Sequence, residues 1–242
     1  MAHIAVLGLG NWGTAIARLW LLEGHSVKGW TIEQEVYESI MMDDVNRKYL
    51  PDQSVEGLEV TMRLEEAMEG VEIVVLAIPS SVILNVVNDV IPHLRPGHVL
   101  LDLAKGLAPG KRLISEAIHE SLREAGCSNP LAVLTGPTIA PEAASGVMTT
   151  ALVASEDVSV AKRLAETLNY IYIDSGAMYR AVTYFAIQKG HQGHIDKEKL
   201  IAQLDQIEIY FKHSKSGHQT FLNGLNISKE IRLSEVTEQV SK

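Results

Sequence analysis

Residues 3–17 read HIAVLGLGNWGTAIA. HIAVL is a short apolar run of the kind that forms a buried parallel strand, and it ends on Gly8. GTAIARLWLLEGH then carries apolar residues at helical spacing and stops at Gly24. Between strand and helix, Gly8, Gly10 and Gly13 keep the G-x-G-x-x-G spacing. Gly8 permits a tight turn, Gly10 lets backbone approach a pyrophosphate, and Gly13 lets helix and strand pack closely. The exposed N–H groups of the helix N-terminus then face the anion. Glycine-rich turns also serve structure alone, but the strand-to-helix context favours dinucleotide binding.

Outward from this stretch, SVKGW resumes a strand, and Glu33 lies 20 residues after Gly13. An acid there accepts hydrogen bonds from an adenosine ribose; the bland alternative is a solvated loop glutamate. The spacing predicts a helix over 35–50 that closes at Tyr49-Leu50-Pro51. A buried strand over 71–78 and a helix to about Val90 follow. HVLLDLAKG, LAVLTGP and TTALVAS read as further strands, with LISEAIHESLREAG and VSVAKRLAETL as helices. This alternation predicts an α/β chain, a Rossmann-like doubly wound, mostly parallel sheet over residues 1–168. Beyond Leu168 the texture changes. YIYID reads as a strand, AMYRAVTYFAIQKG and EKLIAQLDQ as helices, and IEIYFKHSKSGHQTFLNG as two strands joined at Lys215-Ser216-Gly217. SEVTEQVSK closes the chain as a helix, and 169–242 is read as a second, partial α/β piece.

Composition narrows the function classes. Twenty-one Lys+Arg against 30 Asp+Glu leave a net charge of −9, which argues against broad binding to nucleic acid or anionic membrane. Cys127 is the one cysteine, so no intramolecular disulfide forms and a reducing compartment is expected. No apolar run spans a bilayer and no secretory leader opens the sequence. The expectation is a soluble, cytoplasmic protein with no resident metal.

GLGNWGTAIA, NRKYLP, AIPSS, AKGL and LTGPTIAPE, in this order, resemble the nucleotide-binding domain of NAD(P)-dependent glycerol-3-phosphate dehydrogenase over about residues 1–160. The resemblance implies hydride transfer between a nicotinamide and dihydroxyacetone phosphate or glycerol 3-phosphate, and it leaves room for a homo-oligomer. It places Asn11 and Trp12 on the pyrophosphate turn and Tyr49 near the cofactor. Lys105 of AKGL would meet cofactor and substrate, its fixed cation attracting phosphate and stabilising developing negative charge. Gly136 and Thr138 would contact the triose phosphate, and Ala140 the cofactor. Outside this company of motifs, Lys105 would read as a surface lysine and Gly136-Pro137-Thr138 as an ordinary turn. One position departs from the family pattern: Ile32 stands where members often carry an arginine suited to the 2′-phosphate of NADP. With Glu33 beside it, the sequence leans towards NAD over NADP.

NYIYIDSGAMYRAVTYFAIQKG and FLNGLNISKEIRLSEVTEQVS resemble cytidylate kinase over about 158–242. That family holds a nucleoside monophosphate with the equivalents of Asp174, Ser175, Gly176 and Arg180. Arg180 offers a bidentate fork to an oxyanion, or is a plain helix-surface charge. The ATP cradle G-x-x-x-x-G-K followed by Ser or Thr is missing. Gly106…Gly110-Lys111-Arg112 is a false match, with three intervening residues and Arg112 last. The dehydrogenase's second, helical domain, which supplies the catalytic lysine, has no counterpart after Ala165. Lys162, Lys189 and Lys197 lie in unrelated contexts, so no catalytic residue is assigned. The sequence therefore predicts a cofactor-binding but catalytically incomplete dehydrogenase. A kinase-like nucleotide-binding relic and a chimera with no activity are the alternatives.

Overall fold

The computed structural model describes residues 1–110, 112–135, 145, 152–168, 175–190, 197–214 and 217–239. The chain divides into two compact units, Met1–Asn169 and Tyr170–Lys242.

The first unit is built on strands β1 (His3–Leu7), β2 (Ser26–Trp30), β3 (Glu59–Thr61), β4 (Ile73–Leu76), β5 (Val99–Asp102), β8 (Leu131–Thr135) and β9 (Leu152–Ser155), which form one sheet. A small antiparallel pair, β6 (Leu107–Ala108) and β7 (Arg112–Leu113), lies between β5 and β8 in the chain. The sheet order is β3-β2-β1-β4-β5-β8-β9, parallel throughout except for the antiparallel last pair β8–β9. Every residue of β4 and β5 is buried, as are Ile4 to Leu7 of β1. Strands covered on both faces read as unbroken apolar runs, which is why IVVL and VLLD show no polar alternation.

Helices α1 (Asn11–Leu22), α2 (Gln34–Asp43), α3 (Leu64–Met68), α4 (Ile83–Val90) and α5 (Ile114–Glu124) connect the strands. Ala67, Ile83, Val87, Val90, Ala117 and Ile118 from α3, α4 and α5 share one core with Ala5, Leu7, Val74, Leu76 and Leu100 of the sheet. Helix α1 packs on β1 and β2, with Ala15, Ile16, Ala17 and Trp20 buried. Helix Val158–Thr167 closes the unit, capped by Asp157, whose Oδ1 accepts the Ser159 N–H at 2.8 Å.

Two local expectations need correction. The predicted helix over 35–50 ends at Asp43, because Asp44 turns left-handed (φ 53°) and Val45 bridges Ser54. Short polar residues tolerate that conformation, and the chain becomes a loop before Tyr49. Strand β3 and helix α3 fill a stretch where no element was expected.

In the second unit, helix Ser175–Gln188 buries Ala177, Ala181 and Phe185 against Leu222, Ile227 and Ile231. Strands β10 (Ile209–Ser214) and β11 (Gly217–Leu222) pair antiparallel as expected. The stacked rings of Tyr210 and Phe221 lie 5.0 Å apart across that pair. A third strand, β12 (Leu225–Asn226), was not expected; Asn223 (φ 48°) and Gly224 (φ 83°) make the two-residue turn into it. The helix expected over EKLIAQLDQ breaks into Lys197–Ile201 and a single 3-10 turn, Leu204–Gln206. Helix Ser234–Gln239 lies within SEVTEQVSK. The strand expected at YIYID and the Lys215-Ser216 turn lie outside the described residues.

Candidate functional site

Glycines shape the turn from β1 into α1 for two different reasons. Gly8 adopts φ +97°, its N–H donates to the Trp30 carbonyl at 2.9 Å, and an added Cβ would lie 2.6 Å from the Ala77 carbonyl oxygen. A Cβ on Gly13 would lie 1.8 Å from the Gly8 carbonyl oxygen and 3.0 Å from the Ala77 Cβ. Both are glycine because the protein fills the space. Gly10 is different: φ is −72°, and an added Cβ would meet nothing within 4 Å. Neither strain nor packing asks for glycine there, so the open space in front of it is the feature to explain. Gly10 caps α1 with no side chain, and the first turn carries no acid. Its N–H groups therefore point into a region suited to an anion.

A loop seen in the sequence only as NRKYLP holds this turn in place. Asn46 is fully buried, and its Nδ2 donates to the Leu9 carbonyl and to Thr14 Oγ1, both at 2.8 Å. Its Oδ1 accepts the Tyr49 N–H at 3.2 Å, and Thr14 Oγ1 donates to the same Leu9 carbonyl at 3.1 Å. Leu50 packs with Ala15 and Trp12. Tyr49 hydroxyl donates to Glu33 Oε1 at 2.9 Å, and Lys48 Nζ binds Glu33 Oε2. These bonds, Lys48 first and Tyr49 second, hold the Glu33 carboxyl below the usual carboxylate range. Asn46 and Lys48 were not singled out in the sequence. The signal available was their place in Asn46-Arg47-Lys48-Tyr49, a segment whose contacts to Leu9, Thr14 and Glu33 exist only once the chain is folded.

Residues just past β1, β2, β4 and β5 enclose a crevice of about 620 Å³ at the carboxyl ends of those strands. It sits where the strand order reverses between β1 and β4, the place where open α/β sheets bind ligands. The crevice brings together Gly8, Gly10, Asn11, Trp12 and Gly13 from the turn, Glu33 and Tyr49 from one side, and Lys105 from the other. Ile78, Pro79, Val82 and Val86 give it an apolar wall. Lys105 Nζ lies 5.9 Å from the Trp12 ring centroid. The loop bearing it is fixed by Asp102, whose Oδ1 accepts the Ala104 N–H at 2.8 Å. Asp102 is only 2 % exposed, and burial raises its carboxyl to about 6. Ile32 borders the crevice with 74 % of its surface exposed.

Gly136, Thr138 and Ala140 lie outside the described residues. Ser175 opens its helix in the second unit, and Arg180 sits half-buried on the same helix. Among the described residues, no group of three His, Cys, Asp or Glu could hold a metal ion. None of the helices described there is long and apolar enough to cross a membrane.

An apolar wall, a bare helix N-terminus and a space reserved at Gly10 fit an elongated ligand with an anionic middle and flat ring ends. Comparison with known proteins agrees with that geometry. Residues 153–242 match the cytidylate kinase family, beginning within β9. Glycerol-3-phosphate dehydrogenase (NAD(P)+) of Syntrophotalea carbinolica is 34% identical over 190 residues, 78% of this chain and 56% of that protein. The Acidobacterium capsulatum enzyme of the same description is 37% identical over 175 residues, 70% of this chain and 52% of that protein. The chain thus spans about half the length of these curated relatives. A crystal structure of glycerol-3-phosphate dehydrogenase from Coxiella burnetii superposes with a TM-score of 0.64 at 26% identity, covering 85% of this chain and 66% of that one. Residues 3–161 match the family described as the NAD-dependent glycerol-3-phosphate dehydrogenase N-terminus, and with the glycine turn, the NRKYLP loop and the AKGL loop converging on one crevice, the chain belongs to that family.

Proposed function

We propose that residues 1–168 form a dinucleotide-binding domain that takes up NAD(H) in the glycine-turn crevice and offers one half of a glycerol-3-phosphate dehydrogenase site. The observation that carries the reading is the unfilled space at Gly10 in front of the α1 N-terminus. The pyrophosphate would lie there on backbone N–H groups, with Asn11 and Trp12 beside it. Glu33 would accept from the adenosine ribose while Tyr49 steadies the carboxylate. The bound nicotinamide supplies the hydride. Lys105 would hold the triose phosphate near it and stabilise negative charge on the carbonyl oxygen. Gly136 and Thr138 would contact the phosphate side, and Ala140 the cofactor.

We propose that residues 169–242 do not supply the second half of such a site. The cytidylate kinase match occupies 153–242, and 169–242 is read as a kinase-like fragment; the split at Asn169 supports this boundary. A positioned acid–base group contributes about 10²–10⁴-fold in rate, and loose orientation of the substrate costs at least a comparable factor. NADH consumption with dihydroxyacetone phosphate is therefore expected near background. Robust turnover that disappears in Lys105→Ala would contradict the claim of an incomplete site. The kinase match also favours a second reading for the tail, a nucleotide-binding relic around Ser175 and Arg180. A rise in apparent stability with CMP that Arg180→Ala removes would support it, since a ligand that binds only the folded state stabilises it. A cytoplasmic setting is part of the proposal, supported by the lone Cys127.

A further inference from the structure

The sequence pairs Ile32 with Glu33 at the ribose end of the crevice, and an unopposed Glu33 carboxylate would repel the 2′-phosphate of NADP. In the folded chain that carboxylate is not unopposed. Lys48 Nζ binds its Oε2 and Tyr49 hydroxyl its Oε1. Lys48 also lies 3.9 Å from Glu35 and 5.3 Å from the centroid of the Tyr49 ring. The Lys48 side chain is 39% exposed, so its ammonium lies at the solvent edge, where a long flexible stem lets it move. Glu33 lines the crevice beside Ile32, whose exposed side chain contributes no charge.

We propose that Lys48 sets the cofactor selectivity of the crevice. It cancels the charge of Glu33 and is itself the cation that a 2′-phosphate would take, which makes the preference for NADH over NADPH shallow. This deepens, and rests on, the dinucleotide reading of the site. With NADH, the ribose hydroxyls donate to lone pairs of Glu33 that Lys48 and Tyr49 leave open, since a carboxylate has about four acceptor positions. With NADPH, Lys48 turns from Glu33 to the phosphate, and Tyr49 keeps the carboxylate on its other oxygen. Selectivity then belongs to the pair and not to Glu33 alone.

Titration calorimetry of the full chain with NADH and with NADPH tests this in the wild type, Lys48→Met, Glu33→Gln and the double variant. Lys48→Met is expected to weaken NADPH roughly tenfold, the scale of one charge-assisted hydrogen bond at a half-exposed site, while NADH changes less than about twofold. In the double variant the repulsion is gone as well, so the NADH-to-NADPH preference should fall back towards the wild-type ratio. A merely structural role for Lys48 would weaken both cofactors equally. Equal weakening, or an unchanged ratio in Lys48→Met, overturns the proposal. Failure of the wild-type chain to bind either cofactor would overturn the dinucleotide reading first, and this inference with it.

Discussion

Gly13→Ala should destabilise the first unit by about 3 kcal/mol or more, while Gly10→Ala changes it by about 1 kcal/mol at most. The two glycines stand three residues apart in one motif, yet their surroundings differ. At Gly13 a Cβ would overlap the Gly8 carbonyl oxygen at 1.8 Å, a backbone atom with no rotamer to yield. Relief would have to move the β1–α1 turn away from Ala77 and loosen the close packing of helix on strand. At Gly10 the backbone is already in an extended conformation, and the added methyl meets open space. Only a small helix-cap penalty remains, because alanine caps less well than glycine. Urea unfolding followed by tryptophan fluorescence measures this cleanly, since Trp12, Trp20 and Trp30 all lie in the first unit. Equal midpoints for wild type and Gly13→Ala would mean that the close approach of α1 to β1 is not a feature of the native protein.

The second large effect is a gain. Asp102→Asn should raise the stability of the first unit by up to roughly 3 kcal/mol above pH 6 and leave it unchanged in acid. Asp102 is the last residue of β5, 2 % exposed, and burial lifts its carboxyl from 3.8 to about 6. Below 3.8 both folded and unfolded chains hold the proton, and the group costs nothing extra. As pH rises from there to about 6, the unfolded chain releases the proton first, so stability is lost across that window and stays lost above it. Asparagine matches the shape of the protonated acid and keeps an oxygen for the Ala104 N–H, so the bond at 2.8 Å survives. The difference in unfolding free energy between the two proteins, measured across that pH range, isolates this group from the other carboxylates. A difference that does not grow between 3.8 and 6 would show that Asp102 is not held protonated by burial. The carboxylate's position three residues before Lys105 fits the general trade of stability for a shaped site.

Features that depend on local spacing were legible in the sequence. The three glycines, the apolar strands on both sides of them and the helix period of α1 each follow from neighbours within a few residues. The mostly parallel sheet followed from the alternation of strands and helices, and such sheets bind ligands at their carboxyl ends. Asn46 was not legible, because its partners Leu9 and Thr14 lie more than 30 residues away and only the fold brings them together. The same holds for Lys48, whose charge reads as solvated until Glu33 is found beside it. The sequence spacing extends α2 beyond its observed end because Val45, Tyr49 and Leu50 keep an apolar rhythm after Asp44 has left helical geometry. By contrast, β12 was announced by Asn223-Gly224, the dipeptide that favours a two-residue hairpin turn. Only two residues follow in strand geometry, too few to show an alternating pattern.

If the glycine turn holds a dinucleotide pyrophosphate, as we propose, Gly10→Val separates that role from the fold. Valine is branched, so its side chain would occupy the open space in front of the α1 N-terminus while α1 still packs on β1 through Gly13. Titration calorimetry with NADH should give one-site binding for the wild-type chain and no measurable binding for a Gly10→Val chain that unfolds at a similar urea concentration. Unchanged NADH affinity in that folded variant would contradict the account.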